Sequence, residues 1–157
     1  MALKFSEATL KKVDEIIARY PNKASALMPV LYLAQDEFGH ISDEAKMYVA
    51  DLLDLPPAKV YCVSTFYSMY KNEPTGRHLI QICTNLSCSL LGAEHLRDYM
   101  CNKLGIEPGG TSNDGKFSLV TMECLGGCGT APVMMVNRDY YENLNEKYID
   151  DILNKYD

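Results

Sequence analysis

At 157 residues the chain is long enough for one ordinary domain or two small ones. Hydrophobic residues at 47% and charged residues at 23% describe a soluble globular protein, not a disordered one. The net charge of −6 leaves no basic stripe to neutralise phosphates, which argues against a nucleic-acid binder and against docking on an anionic membrane surface.

The first residues, Met1-Ala2-Leu3-Lys4-Phe5-Ser6, lack an apolar signal core with a small-residue cleavage site, and no apolar run approaches membrane-spanning length. The expected location is therefore cytoplasmic. Ser6 is placed to cap a first helix carrying Leu10, Val13, Ile17 and Tyr20 at helical spacing, and Pro21-Asn22 breaks it. A second helix is expected over 25–38, with Leu27, Val30, Leu31 and Ala34 on one face and Gly39 as its stop; Pro29 fits only in the first turn. Ser42 caps a third helix, with Asp43 and Glu44 against its dipole and Ala45, Tyr48, Val49, Leu52 and Leu53 as its apolar face. Pro56-Pro57 opens a short fourth helix carrying Val60, Val63 and Phe66. The run Phe66-Tyr67-Ser68-Met69-Tyr70 reads as core packing, with a partner-docking surface as the alternative.

Lys71-Asn72-Glu73-Pro74-Thr75-Gly76 is polar and rich in turn formers, so a boundary is placed there: a helical bundle over 1–74 and a second domain over 75–157. Beyond Gly76 the pattern changes. Leu79 to Ile82 is a short buried strand ending at Cys83. Ala93, Leu96, Met100 and Leu104 give a helix stopped by Gly105, followed by a Gly-rich loop. Phe117 to Glu123 is a second strand, ending at Cys124, and Pro132 to Val136 a third. Tyr140-Tyr141 begins a short fourth strand, and Asn145 caps a last helix with Ile149, Ile152 and Leu153 inward. The second half is thus β-α-β-β-α, a small α/β layer structure, and the whole chain is of α+β or α/β class.

Four of the six cysteines form two pairs, Cys83-x4-Cys88 and Cys124-x3-Cys128, and each pair begins where a predicted strand ends. If the strands are neighbours, four thiolates converge from two loops at one sheet edge. Two-iron clusters use four cysteine thiolates, and a C-x4-C opening occurs in plant-type ferredoxins. Gly126, Gly127 and Gly129 surround Cys128; they allow close backbone approach and an anion-binding nest of N–H groups, whose hydrogen bonds raise a cluster's potential. Glu123 and the acidic chain act in the opposite direction. Structural zinc on the same four cysteines stays open on spacing alone. His40, His78 and His95 lie outside both loops, which sets aside a Rieske-type centre, and a thioredoxin-like C-x-x-C pair is absent. Cys62 and Cys101 fall on predicted helices without a partner and read as buried core thiols.

The segments CTNLSCSLLGAEHL (83–96) and ECLGGCGTAPVMMVN (123–137), with DEFGHIS (36–42) and LPPAKVYCVSTFYSMY (55–70), closely resemble the E subunit of NADH-quinone oxidoreductase. The resemblance implies a helical bundle followed by a thioredoxin-like domain. It implies one [2Fe–2S] cluster on Cys83, Cys88, Cys124 and Cys128, which leaves zinc remote. It further implies a flavoprotein partner that binds FMN and NADH and exchanges single electrons with that cluster. No catalytic residue and no bound NADH or flavin are expected on this chain itself, and the implied place is the cytoplasmic face of the inner membrane, through the complex. One departure is Cys62, where similar sequences carry a small residue, often glycine. The same type of subunit occurs in NAD-dependent, electron-bifurcating hydrogenases and in formate dehydrogenases, so the resemblance leaves the parent complex open.

Overall fold

The computed structural model describes residues 3–156. The chain falls into two compact units, Met1–Pro74 and Thr75–Asp157.

The first unit is helical. Helix α1 (Glu7–Ile17) starts where the Ser6 hydroxyl accepts the Thr9 N–H at 3.3 Å, taking up one of the N–H groups a helix start leaves without a partner. Asn22 caps a 3-10 turn (Lys23–Ala26) that leads into α2 (Leu27–Phe38). Pro29 lies in the first turn of α2, where a missing N–H costs nothing, and Gly39, at φ 83°, ends the helix. Ser42 caps α3 (Asp43–Leu53), and Pro57 begins α4 (Pro57–Phe66). Val13, Val30, Leu31, Val49, Leu53 and Val60 are buried together, each side chain contributing about 1.5–3 kcal/mol by leaving water.

Two expectations fail on α4. Its buried positions are Val60 and Ser64, four residues apart; Cys62 and Phe66 each sit about 200° round the helix from one of these, at 3.6 residues per turn. Cys62 is therefore exposed, not a core thiol, and Phe66 is 80% exposed, not packed inward. The following aromatics divide: Tyr67 is exposed, whereas Tyr70 is buried and donates its hydroxyl to the Met28 carbonyl at 2.9 Å. Burial pushes the Tyr70 phenol up to about 12, with the nearby phenols of Tyr32 and Tyr67 adding to the rise.

The second unit is a mixed four-stranded sheet in the order β2-β1-β3-β4, formed by β1 (His78–Cys83), β2 (Phe117–Met122), β3 (Met134–Val136) and β4 (Asp139–Tyr141). β1 runs parallel to β2, with Cys83 opposite Met122, and antiparallel to β3. The parallel pairing needs a crossover, supplied by α5 (Leu86–Leu90) and α6 (Ala93–Leu104). α6 buries Ala93, Leu96, Met100 and Cys101, and α7 (Glu146–Lys155) buries Ile149, Ile152 and Leu153, against Ile80, Ile82, Leu119 and Met134 of the sheet. The five-residue helix α5 replaces the loop expected between Cys83 and Cys88. Asn85 caps it, and it leaves Leu86 and Leu90, one turn apart, facing solvent.

Candidate functional site

The end of the central strand gathers the cysteines. At Cys83 the backbone N–H donates to the Val133 carbonyl (3.1 Å), and at Thr84 to the Met122 carbonyl (3.0 Å). The chain leaving β2 toward Cys124 and the chain entering β3 at Val133 are therefore fastened to opposite sides of the Cys83–Thr84 step. Cys88 rides on α5 and is buried with Cys83; Cys124 and Cys128, on the second loop, are exposed. Cys128 opens a short 3-10 turn (Cys128–Thr130).

The thiols feel one another. Burial raises the Cys83 thiol, but the N–H groups of Asn85 and Leu125 and the thiols of Cys88 and Cys124 outweigh it, and the net shift is downward. Cys88 shifts the other way, raised first by burial and then by its contact with Cys83 and the nearness of Cys128, against the Val133 N–H. In such a pair one proton leaves early and its charge holds the second back. A bound cation reverses that second effect, since a coordinating thiol is deprotonated outright.

The second loop is shaped to aim backbone donors at sulfur. The Gly126 N–H donates to Cys124 Sγ at 3.3 Å, and Gly126 takes φ 79°, which an L side chain rarely adopts. A Cβ on Gly127 would stand 2.3 Å from Tyr140 Oη and 2.8 Å from Val133 Cγ1, so glycine there is a matter of space. Gly129 has neither a positive φ nor an atom of the chain within 4 Å of its Cβ position. Tyr140, on β4, donates its hydroxyl to the Leu125 carbonyl at 3.1 Å. Burial, then the charge of Glu142 and the thiols of Cys83, Cys88 and Cys124, raise its phenol, so at neutral pH it keeps the proton it donates.

The four cysteines of the two loops thus share one end of the sheet; of the other two, Cys62 belongs to the helical unit, and Cys101 is buried on α6 with its thiol raised by burial. His95 engages Glu146 at 2.8 Å, and His78 contacts Asn137 at 3.1 Å and the rings of Phe117 and Tyr156. Among the described residues no three or more histidine, cysteine, aspartate or glutamate side chains are grouped as one metal ion would need. The sulfurs adjoin instead as Cys83 with Cys88 and Cys83 with Cys124, with Cys128 within electrostatic reach of Cys88. A two-iron cluster takes thiolates two to each iron and spans more space than one ion. Four soft sulfurs, with N–H donors directed at those of Cys83, Cys88 and Cys124, fit the donor set such a cluster requires. Sequence spacing did not point to the donors from Asn85, Leu125 and Val133, nor to Tyr140; a tyrosine beginning a strand carries no signal of a contact fifteen residues back.

The chain is similar to several known proteins. An NADH-quinone oxidoreductase E subunit of Rhizobium meliloti (strain 1021), the one numbered 2 there, is 42% identical over 146 residues, covering 93% of this chain and 87% of the relative. The E subunit of the same enzyme in Rickettsia typhi is 41% identical over 157 residues, covering 97% and 91%. The NADH-quinone oxidoreductase subunit 2 of Thermus thermophilus is 44% identical over 131 residues, covering 82% and 72%. Among solved structures, that of an NAD+-reducing [NiFe]-hydrogenase in the H2-reduced state superposes with a TM-score of 0.73 at 22% identity. The match covers 85% of this chain but about a fifth of the hydrogenase chain, 22%, and is a likeness of fold. The family profile described as thioredoxin-like [2Fe–2S] ferredoxin matches residues 13–157. With that profile running from Val13 to the C-terminal end, and relatives above 40% identity along most of their length, the chain belongs to the thioredoxin-like [2Fe–2S] ferredoxin family, and its cofactor is a [2Fe–2S] cluster.

Proposed function

We propose that Cys83, Cys88, Cys124 and Cys128 hold the cluster, and that this chain is the electron-carrying subunit of an NADH-oxidising complex of the NADH-quinone oxidoreductase type. The observation that carries the reading is the meeting of the two cysteine loops at the end of β1, with amide N–H groups directed at the sulfurs. When bound, the cluster takes up and releases one electron at a time. The chain's part is ligation and backbone hydrogen-bond donors. Cys83 and Cys88 grip from the buried side, and Cys124 and Cys128 from the exposed side. Gly126 turns its N–H onto Cys124, stabilising negative charge on that sulfur.

The partner in this reading is a flavoprotein subunit carrying FMN and an NADH site, so that hydride chemistry takes place there and single electrons pass here. Three features support it: the NADH-quinone oxidoreductase relatives at 40–44% identity, the exposure of Cys124 and Cys128, and the exposed leucines Leu86, Leu90 and Leu91 beside Cys88. Among the described residues no helix is long and apolar enough to cross a membrane. Attachment to a membrane, at its cytoplasmic face, would then come through the complex. The equivalent place in an NAD-dependent hydrogenase or formate dehydrogenase is the alternative, and the hydrogenase likeness at 22% identity speaks for fold alone.

The test is co-expression with a flavoprotein of the NADH-binding type, followed by anaerobic addition of NADH to the purified complex. The expected result is co-purification, two irons and two sulfides per copy of this chain, and an EPR signal of a reduced two-iron cluster under NADH. Zinc without iron or sulfide would instead make the chain a metal-stapled adaptor with no redox role.

A further inference from the structure

One peptide unit in the second cysteine loop is held at both ends. Its carbonyl, belonging to Leu125, accepts the Tyr140 hydroxyl at 3.1 Å; its N–H, belonging to Gly126, donates to Cys124 Sγ at 3.3 Å. The chain therefore runs Tyr140 O–H to C=O, through the amide, and N–H to sulfur. Two glycines make the arrangement possible. Gly126 supplies the φ of 79° that turns the plane, and Gly127 leaves the space in which the Tyr140 hydroxyl stands, 2.3 Å from where a Cβ would be. Tyr140 comes from β4, the far edge of the sheet, and so ties the loop to a rigid element that does not itself carry a cysteine.

We infer that Tyr140 is a positioning residue for the cluster: its hydroxyl fixes and polarises the Leu125–Gly126 peptide so that the Gly126 N–H points at the Cys124 sulfur and favours the reduced state. This rests on the reading that Cys124 is a ligand. The physics is direct. A hydrogen bond accepted by an amide carbonyl strengthens the donor at the other end of the same amide, by about 10–30% per bond. A carbonyl without its partner is also free to swing, which takes the N–H off the sulfur. Hydrogen bonds to cluster sulfurs raise the reduction potential by stabilising the added electron.

Tyr140→Phe removes the hydroxyl and leaves the ring. EPR-monitored redox titration of the holoprotein, with iron and sulfide counts, is the readout. The inference requires cluster content equal to wild type and a lower midpoint. At a fixed poise the ratio of reduced to oxidised cluster should fall about threefold, between the small loss from depolarisation alone and the tenfold expected if the N–H turns away. The hyperfine coupling of one exchangeable proton to the cluster should weaken in the same variant. Tyr140→Leu, which also empties the ring's place, should fall at least as far. A midpoint and coupling unchanged in Tyr140→Phe would overturn the inference, and so would loss of the cluster from that variant, since the hydroxyl would then serve folding and not tuning. Failure of the ligand reading would show separately, as wild-type spin and iron counts that do not respond to Cys124→Ala.

Discussion

Gly76 and Gly127 are both confined by neighbours and not by backbone angle. A Cβ on Gly76 would lie 2.9 Å from the Phe117 carbonyl carbon and 3.1 Å from the Gly115 and Lys116 oxygens, all backbone atoms that cannot rotate away. The Gly76 N–H also donates to the buried Ser118 hydroxyl at 2.7 Å. Gly76→Ala should therefore lower stability by about 1–3 kcal/mol, the usual cost of forcing an extra carbon into a filled space, read as a smaller denaturation midpoint at unchanged m. The glycines beside Cys128 are legible in the sequence as a group, but their separate jobs are not. Gly126 answers to φ, Gly127 to Tyr140 and Val133, and Gly129 to no atom of the chain. A glycine's letter carries no mark of which constraint applies, because close approach is set by residues far away in sequence. Cys62 shows the same blindness: its helix was readable, but which side of the helix faced inward was fixed by Val60 and Ser64 together, and a buried serine is not an apolar marker.

At the scale of elements, the helix starts were readable because their caps are local. Ser6, Ser42 and Asn145 each accept a backbone N–H three residues on, at 3.3, 3.2 and 2.9 Å. Ser42→Ala should cost about 1 kcal/mol, visible as a lower Tm. Helix α5 escaped because five residues are too few to show a helical period, and its signal is only the Asn85 cap. Helices α6 and α7 are linked by Asp150, which accepts from Lys103 at 2.5 Å and Tyr99 at 2.8 Å. Those two hydrogen bonds, Lys103 first, hold the Asp150 carboxyl below its ordinary 3.8. A carboxylate with a depressed folded-state value stabilises the fold above its unfolded value and loses that contribution as pH falls through the folded one. Asp150→Asn should therefore flatten the stability profile below about pH 4 and leave its shape around neutrality unchanged, as followed by denaturation midpoints across pH.

Across the whole molecule, one sheet does most of the positioning. β1 lies between β2 and β3, so its last residue meets one loop from each side, and two cysteine pairs forty residues apart in sequence share one place. Strand ends and pair spacing were enough to propose that meeting; the β2-β1-β3-β4 order, which makes it happen, needed the structure. In the proposed assignment neither Cys62, on α4, nor Cys101, buried on α6, is a ligand. The most direct test is EPR spin quantitation of the dithionite-reduced protein across six single Cys→Ala variants. One spin per chain is expected in wild type, Cys62→Ala and Cys101→Ala, with that signal lost or reduced to a small unstable fraction in Cys83→Ala, Cys88→Ala, Cys124→Ala and Cys128→Ala. A full, unaltered signal in any of the last four would contradict the assignment.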